Sequence, residues 1–117
     1  MKESKMSTLV DTILGECESI ISGVEIVQEL TANKKVFNMF EFDDIRYMAE
    51  YLQSFVLTAE EKGVDFTTLD EFENVSVNLY QTCKYTVEAL EESIQDVDVL
   101  NELGYIRASV SIIRDVM

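Results

Sequence analysis

From Leu69 to Ile94 the apolar side chains hold one register. Leu69, Phe72, Val75, Leu79, Cys83, Val87, Leu90 and Ile94 recur at steps of three and four, the spacing of one face of an α-helix. No Gly or Pro interrupts the run. Ser76, Tyr80 and Thr86 widen the stripe, so this helix is expected to touch neighbours on two sides. Thr68 with Glu71 has the spacing of a capping box, in which hydroxyl and carboxylate each take up a free backbone N–H. Asp70, Glu71 and Glu73 fall where the helix dipole favours negative charge. Phe66 and Phe72 stand close to staple spacing around the cap. The stretch predicts a helix over 68–95. At 1.5 Å per residue, about 26 residues make a rod roughly 39 Å long. The rest of the chain is expected to be organised around it.

Three further stripes match that rod. Leu9, Val10, Ile13, Leu14, Cys17, Ile20, Ile21, Val24, Val27 and Leu30 form a near-heptad face, with Asp11, Glu18, Ser22, Glu25 and Glu29 opposite. They predict a first helix over 8–33, capped by Ser7 and preceded by a frayed polar segment, 1–6. Gly15 and Gly23 sit inside it at about 1 kcal/mol each relative to Ala. Either they admit a closely packed neighbour or they are tolerated surface positions. Ile45, Met48, Ala49, Leu52, Phe55, Val56 and Ala59 predict a second helix over 44–62, capped by Asp43 or Asp44 and flanked by Tyr47 and Tyr51. Lys62-Gly63 reads as its stop, since Gly can take the left-handed position after a helix. Val99, Leu103, Ile106, Val110, Ile113 and Met117, with Leu100 beside them, predict a fourth helix over 98–116, capped by Asp96 or Asp98. Four helices on short connections imply an all-α, antiparallel four-helix bundle formed by the single domain 1–117. The absence of Pro and the presence of only four Gly favour the same uninterrupted helices over a turn-rich β fold.

The connector from Lys35 to Asp44 departs from this pattern. Val36, Phe37, Met39, Phe40 and Phe42 crowd into a segment type that is usually polar. These side chains either cap the open end of the core or anchor a partner, since aromatics and Met are enriched at interface hot spots.

Charge and chemistry narrow the function. The net charge is −14, so nucleic acid and anionic membrane are excluded as direct partners and a basic protein surface is the natural complement. The chain has no His, which removes the commonest general base and transition-metal ligand. Cys17 and Cys83 fall on apolar stripes and are expected to be reduced core thiols; a disulfide would require adjacent helices in register. Asp96-x-Asp98 opens like a calcium loop, but Leu100 occupies the third ligand position and Arg107 the place of the bidentate Glu. Asp70-x-x-Glu73 and Glu88-x-x-Glu91 have the spacing of magnesium-holding pairs, yet lie on one predicted helix roughly 27 Å apart. Glu25, Glu29 and Glu50 are the remaining di-acidic combination. No metal, cofactor or catalytic residue is assigned, and an enzyme is not expected. Leu9 to Leu14 contains Asp11 and precedes no convincing cleavage site, so no secretory signal is expected. No apolar run approaches the ~18 residues of a membrane span. The expected location is cytoplasmic.

In an up-down bundle the first and third connections share one end. That gathers Glu41, Asp43 and Asp44 with Glu88, Glu91, Glu92, Asp96, Asp98 and Glu102, beside Phe37, Phe40 and Phe42. Glu88, Glu92 and Asp96 step four at a time, about 6 Å apart along a helix, close to the spacing of phosphates on a strand. Solubility alone asks for a net charge magnitude of about 2–8 in a small domain. The expectation is a small acidic binding protein that inhibits or sequesters a basic, nucleic-acid-handling partner such as a nuclease, by mimicry of nucleic acid or by simple charge match. Its partner surface would comprise Phe37, Phe40, Phe42, Glu41, Asp43, Asp44, Glu88, Glu92, Asp96 and Asp98. Nuclease immunity proteins and virus-encoded inhibitors of defence nucleases share this size and charge, a likeness of character that no motif carries. The alternative is a structural or adaptor subunit, or a homodimer, with the exposed aromatics at its interface.

Overall fold

The chain folds as a four-helix bundle in a computed structural model that describes the backbone of residues 2–32 and 39–116 and the side chains of residues 8–32 and 42–116. The helices are α1 (Lys2–Leu30), α2 (Met39–Glu61), α3 (Asp70–Ser93) and α4 (Val97–Asp115), with a single 3₁₀ turn, Phe66–Thr68, before α3. Each helix packs on its chain neighbours and α1 closes the ring against α4, while among the described residues no Cα atoms of the diagonal pairs come within 8 Å. The molecule is a rod of 48 × 21 × 19 Å. Polar contacts fix the antiparallel sense: Gln28 Nε2 of α1 donates to Asp43 Oδ1 of α2 at 2.7 Å, and Gln53 Nε2 of α2 donates to the Leu14 carbonyl at 3.3 Å.

The stripes read from the sequence form the core. Val10, Ile13, Cys17, Ile20, Val24 and Val27 of α1 face Ile45, Ala49, Leu52 and Val56 of α2 and Val99, Leu103, Ile106 and Val110 of α4. Phe72, Leu79, Cys83, Val87 and Leu90 supply α3. Ser76 and Thr86 are buried with them, because α3 packs on both α2 and α4. Leu30 departs from its stripe and is exposed at the end of α1. Buried Thr31 follows it, its hydroxyl donating to the Val27 carbonyl at 2.7 Å.

Four sequence expectations are corrected. First, α1 starts at Lys2, with the expected frayed segment inside the helix, and ends at Leu30. It packs more extensively on its two neighbours than α3 does, so α1, not α3, is the central strut. Second, α2 starts at Met39, ahead of Asp43 and Asp44. Phe42 extends the three-and-four register of Ile45, Ala49, Leu52 and Val56 and is fully buried. Burying a Phe contributes about 1.5–3 kcal/mol, more than the roughly 1 kcal/mol of a side-chain cap at Asp43. Third, the Thr68–Glu71 capping box does not form. Thr68 lies in the 3₁₀ turn and donates its hydroxyl to the Asp65 carbonyl at 2.8 Å, and Leu69 precedes α3 without a side-chain cap. The turn is fixed by Asp65, whose Oδ1 accepts from Thr67 N at 2.9 Å. Its buried Phe66 meets the Phe72 ring edge-on at 4.9 Å, so the aromatic clasp around the helix start does form. Fourth, Glu88, Glu92 and Asp96 do not form one row along a helix, because α3 ends at Ser93 and Asp96 caps α4, as expected of Asp96 or Asp98.

The two internal glycines of α1 part company. A Cβ at Gly23 would lie 2.7 Å from Ile106 Cγ1, so this position is what lets α4 approach α1. Gly15 faces open space. Gly63 ends α2 with φ at +68°: Val64 N donates to the Ala59 carbonyl at 2.9 Å and Gly63 N to Glu60 at 3.0 Å, a Schellman stop that only Gly enters without strain.

Candidate binding surface

The bundle end carrying the α1–α2 and α3–α4 connections holds the acidic residues, because antiparallel α2 starts there, α3 ends there and α4 starts there. Their roles differ. Asp43 is half-buried and tied down, accepting from Gln28 and from Arg46 Nη2 at 3.4 Å. Glu91 pairs with Arg107 of α4. Asp96 turns back on its own chain as the N-cap of α4, Oδ1 accepting from Asp98 N at 3.0 Å and from Val99 N at 3.5 Å. The helical row Glu88, Glu92, Asp96 is therefore broken. α3 stops at Ser93, and Ile94 is extended so that its side chain stays in the core. Asp44, Glu88, Glu92 and Asp98 are exposed and form no ion pair with any described residue.

Of the aromatic anchors, Phe42 is removed from the surface by its burial. Phe37 and the side chains of Phe40 and Glu41 lie outside the described residues. Among the described residues the exposed aromatics are Tyr47, Tyr51, Tyr85 and Tyr105. The Tyr51 hydroxyl donates to Glu71, and that hydrogen bond to a carboxylate raises the phenol's pKa.

No three His, Cys, Asp or Glu side chains among the described residues converge to hold a metal ion, Glu25, Glu29 and Glu50 included. Both thiols are buried and free, and burial pushes each up to about 12. Cys17 on α1 and Cys83 on α3 sit on diagonal helices whose Cα atoms stay more than 8 Å apart, too far for a disulfide. No helix among the described residues is long and apolar enough to cross a membrane.

The sequence reading missed a groove between α3 and α4. One lobe, about 330 Å³, is lined by Val77, Tyr80, Gln81, Lys84, Tyr85 and Arg114. A smaller lobe, about 140 Å³, shares Tyr80 and Lys84 and adds Cys83, Glu88, Arg107, Val110 and Ser111. The Arg114 guanidinium lies 4.4 Å from the centroid of the Tyr80 ring. The sequence shows Arg107 and Arg114 two turns apart on one helix and Tyr80 and Lys84 one turn apart on another, but not that the two pairs face each other. Compared with protein-family models, with curated proteins and with solved structures, the chain matches none.

Proposed function

We propose that this is a non-catalytic binding protein that holds a basic protein surface against the acidic end of its bundle, inhibiting or sequestering that partner. The observation that carries the reading is the set Asp44, Glu88, Glu92 and Asp98. These four carboxylates are exposed at one end and without partners among the described residues, in a chain of net charge −14. Such a field steers a cationic partner into encounter and discriminates against acidic ones. With Asp96 withdrawn as a cap, the match is to a basic surface in general, such as that of a nucleic-acid-handling protein, and does not depend on a phosphate-spaced row. The test is capture from host lysate at low salt with a salt-gradient elution, run beside a variant carrying Asp44→Asn, Glu88→Gln, Glu92→Gln and Asp98→Asn. A basic protein retained by the native chain, released at moderate salt and lost by the variant is the expected result. Equal retention by both chains, or salt-independent retention, refutes the reading.

A second reading is a structural or adaptor subunit that self-associates. It rests on the large apolar side chains exposed on three helices, Ile26 and Leu30 on α1, Leu57 on α2 and Ile112 on α4. A mass in solution of twice 13.4 kDa at micromolar concentration would favour it.

A further inference from the structure

Three of the chain's nine basic residues, Lys84, Arg107 and Arg114, line the α3–α4 groove. In a protein with 23 acidic residues, cations at the surface would be expected to find carboxylates. Arg107 does, at Glu91. Lys84 and Arg114 form no ion pair with any described residue. The larger lobe, where these two stand, has no carboxylate in its lining; Glu88 belongs to the smaller lobe. The rest of the larger lobe is aromatic, amide and aliphatic: Tyr80 beneath the Arg114 guanidinium, Tyr85 exposed at its edge, Gln81 and Val77. Stacking on Tyr80 holds Arg114 without consuming its charge. The result is a local positive site, with flat apolar surface beside it, on a molecule whose overall field is negative.

We propose that the larger lobe binds a small organic phosphate. Lys84 and Arg114 take the phosphate oxygens, and Tyr85, Tyr80 and Val77 cover an apolar or aromatic body. Two unneutralised cations match a phosphate monoester of charge between −1.5 and −2. The volume is at the lower end of small-ligand sites. A nucleic-acid strand is a poor occupant, because its further phosphates would meet the carboxylates outside the lobe. The larger lobe contains none of the four carboxylates of the acidic end, although Glu88 stands one helical turn beyond Lys84 in the adjoining smaller lobe. Its ligand is opposite in charge to the partner proposed at that end.

The experiment is a ¹⁵N–¹H NMR titration of the full chain with phenyl phosphate and with inorganic phosphate at constant ionic strength. The native chain should show saturable shifts confined to residues 77–85 and 107–114, with phenyl phosphate binding more tightly than inorganic phosphate. The Lys84→Gln/Arg114→Gln variant, changed only at exposed positions, should bind phenyl phosphate about tenfold more weakly, a loss of about 1.4 kcal/mol. Lys62→Gln, a lysine outside the groove, should leave binding unchanged. Non-saturable or dispersed shifts, equal binding of the two probes, or an equal loss in Lys62→Gln would overturn the proposal.

Discussion

Gly23 of α1 and Ile106 of α4 are packed so closely that a Cβ on the glycine would stand 2.7 Å from Ile106 Cγ1 and 3.2 Å from Cδ1. Ile106 is fully buried and β-branched, so it has little room to move. Gly23→Ala therefore forces Ile106 off its rotamer or the two helices apart and should cost about 1–3 kcal/mol, despite the better helix propensity of Ala. Gly15→Ala, on the same helix but facing open space, should stabilise by up to about 1 kcal/mol. Urea unfolding of the two variants in parallel checks the opposite signs.

Ser76 is buried in α3, and its hydroxyl finds no hydrogen-bond partner among the described residues. A buried polar group left unpaired costs about 1–3 kcal/mol. Ser76→Ala removes that cost at little change in volume and should raise stability by about 1 kcal/mol, read as a shift in the urea midpoint. A lower midpoint would mean that the hydroxyl has a partner.

Asp96 and Glu92 stand close in sequence, but Asp96 caps α4 while Glu92 is exposed and is proposed as a partner contact. Asp96→Ala removes the α4 cap and should lose about 1 kcal/mol of stability, with capture of a basic partner retained. Glu92→Gln should weaken capture and leave the melting temperature nearly unchanged, since Glu92 is exposed. Thermal melts and binding, measured on the same two variants, separate the roles.

The two thiols set an alkaline limit. Burial raises each from 9.0 to about 12 in the folded chain, so above pH 9 an unfolded thiol releases a proton that the folded one keeps. The contribution is fully present below pH 9 and is lost as pH rises toward 12. The fall is about 1.4 kcal/mol per pH unit for each thiol. Denaturation at pH 8, 9, 10 and 11 should show this slope, and the Cys17→Ala/Cys83→Ala variant, whatever its baseline stability, should show it reduced.

The bundle was legible because each stripe repeats over several turns without a breaker, so the register of Val10 to Val27 or Val99 to Ile113 survives errors at either end. The ends were legible in part: the Gly63 stop and the Asp96 cap form as expected, but the starts of α2 and α3 fall elsewhere. Asp43 and Thr68 look like caps in isolation, but what a cap contributes is smaller than the burial of Phe42 or of Phe66 with Phe72. Tertiary packing therefore moved the start of α2 ahead of its apparent cap and the start of α3 past its own. The same competition decided the candidate surface. Phe42 became core once α2 extended, and Phe42→Ala should cost about 3–5 kcal/mol of stability as a core truncation. The acidic end followed from topology, but the pairing of Asp43 with Gln28 and of Glu91 with Arg107 depends on how neighbouring helices face each other. Periodicity within one helix does not report that. Lys84 and Arg114 went unread for the same reason.

An even number of antiparallel rods, closed by α1 against α4, turns the start of α1 and the end of α4 toward the same end of the bundle. The carboxylates of Asp44, Glu88, Glu92 and Asp98 lie in the opposite half. A tether attached at either end of the chain would therefore stand the rod upright with its charged tip turned outward. The molecule could be displayed in many copies on a scaffold, as a field of parallel negative posts, with every charged tip left uncovered.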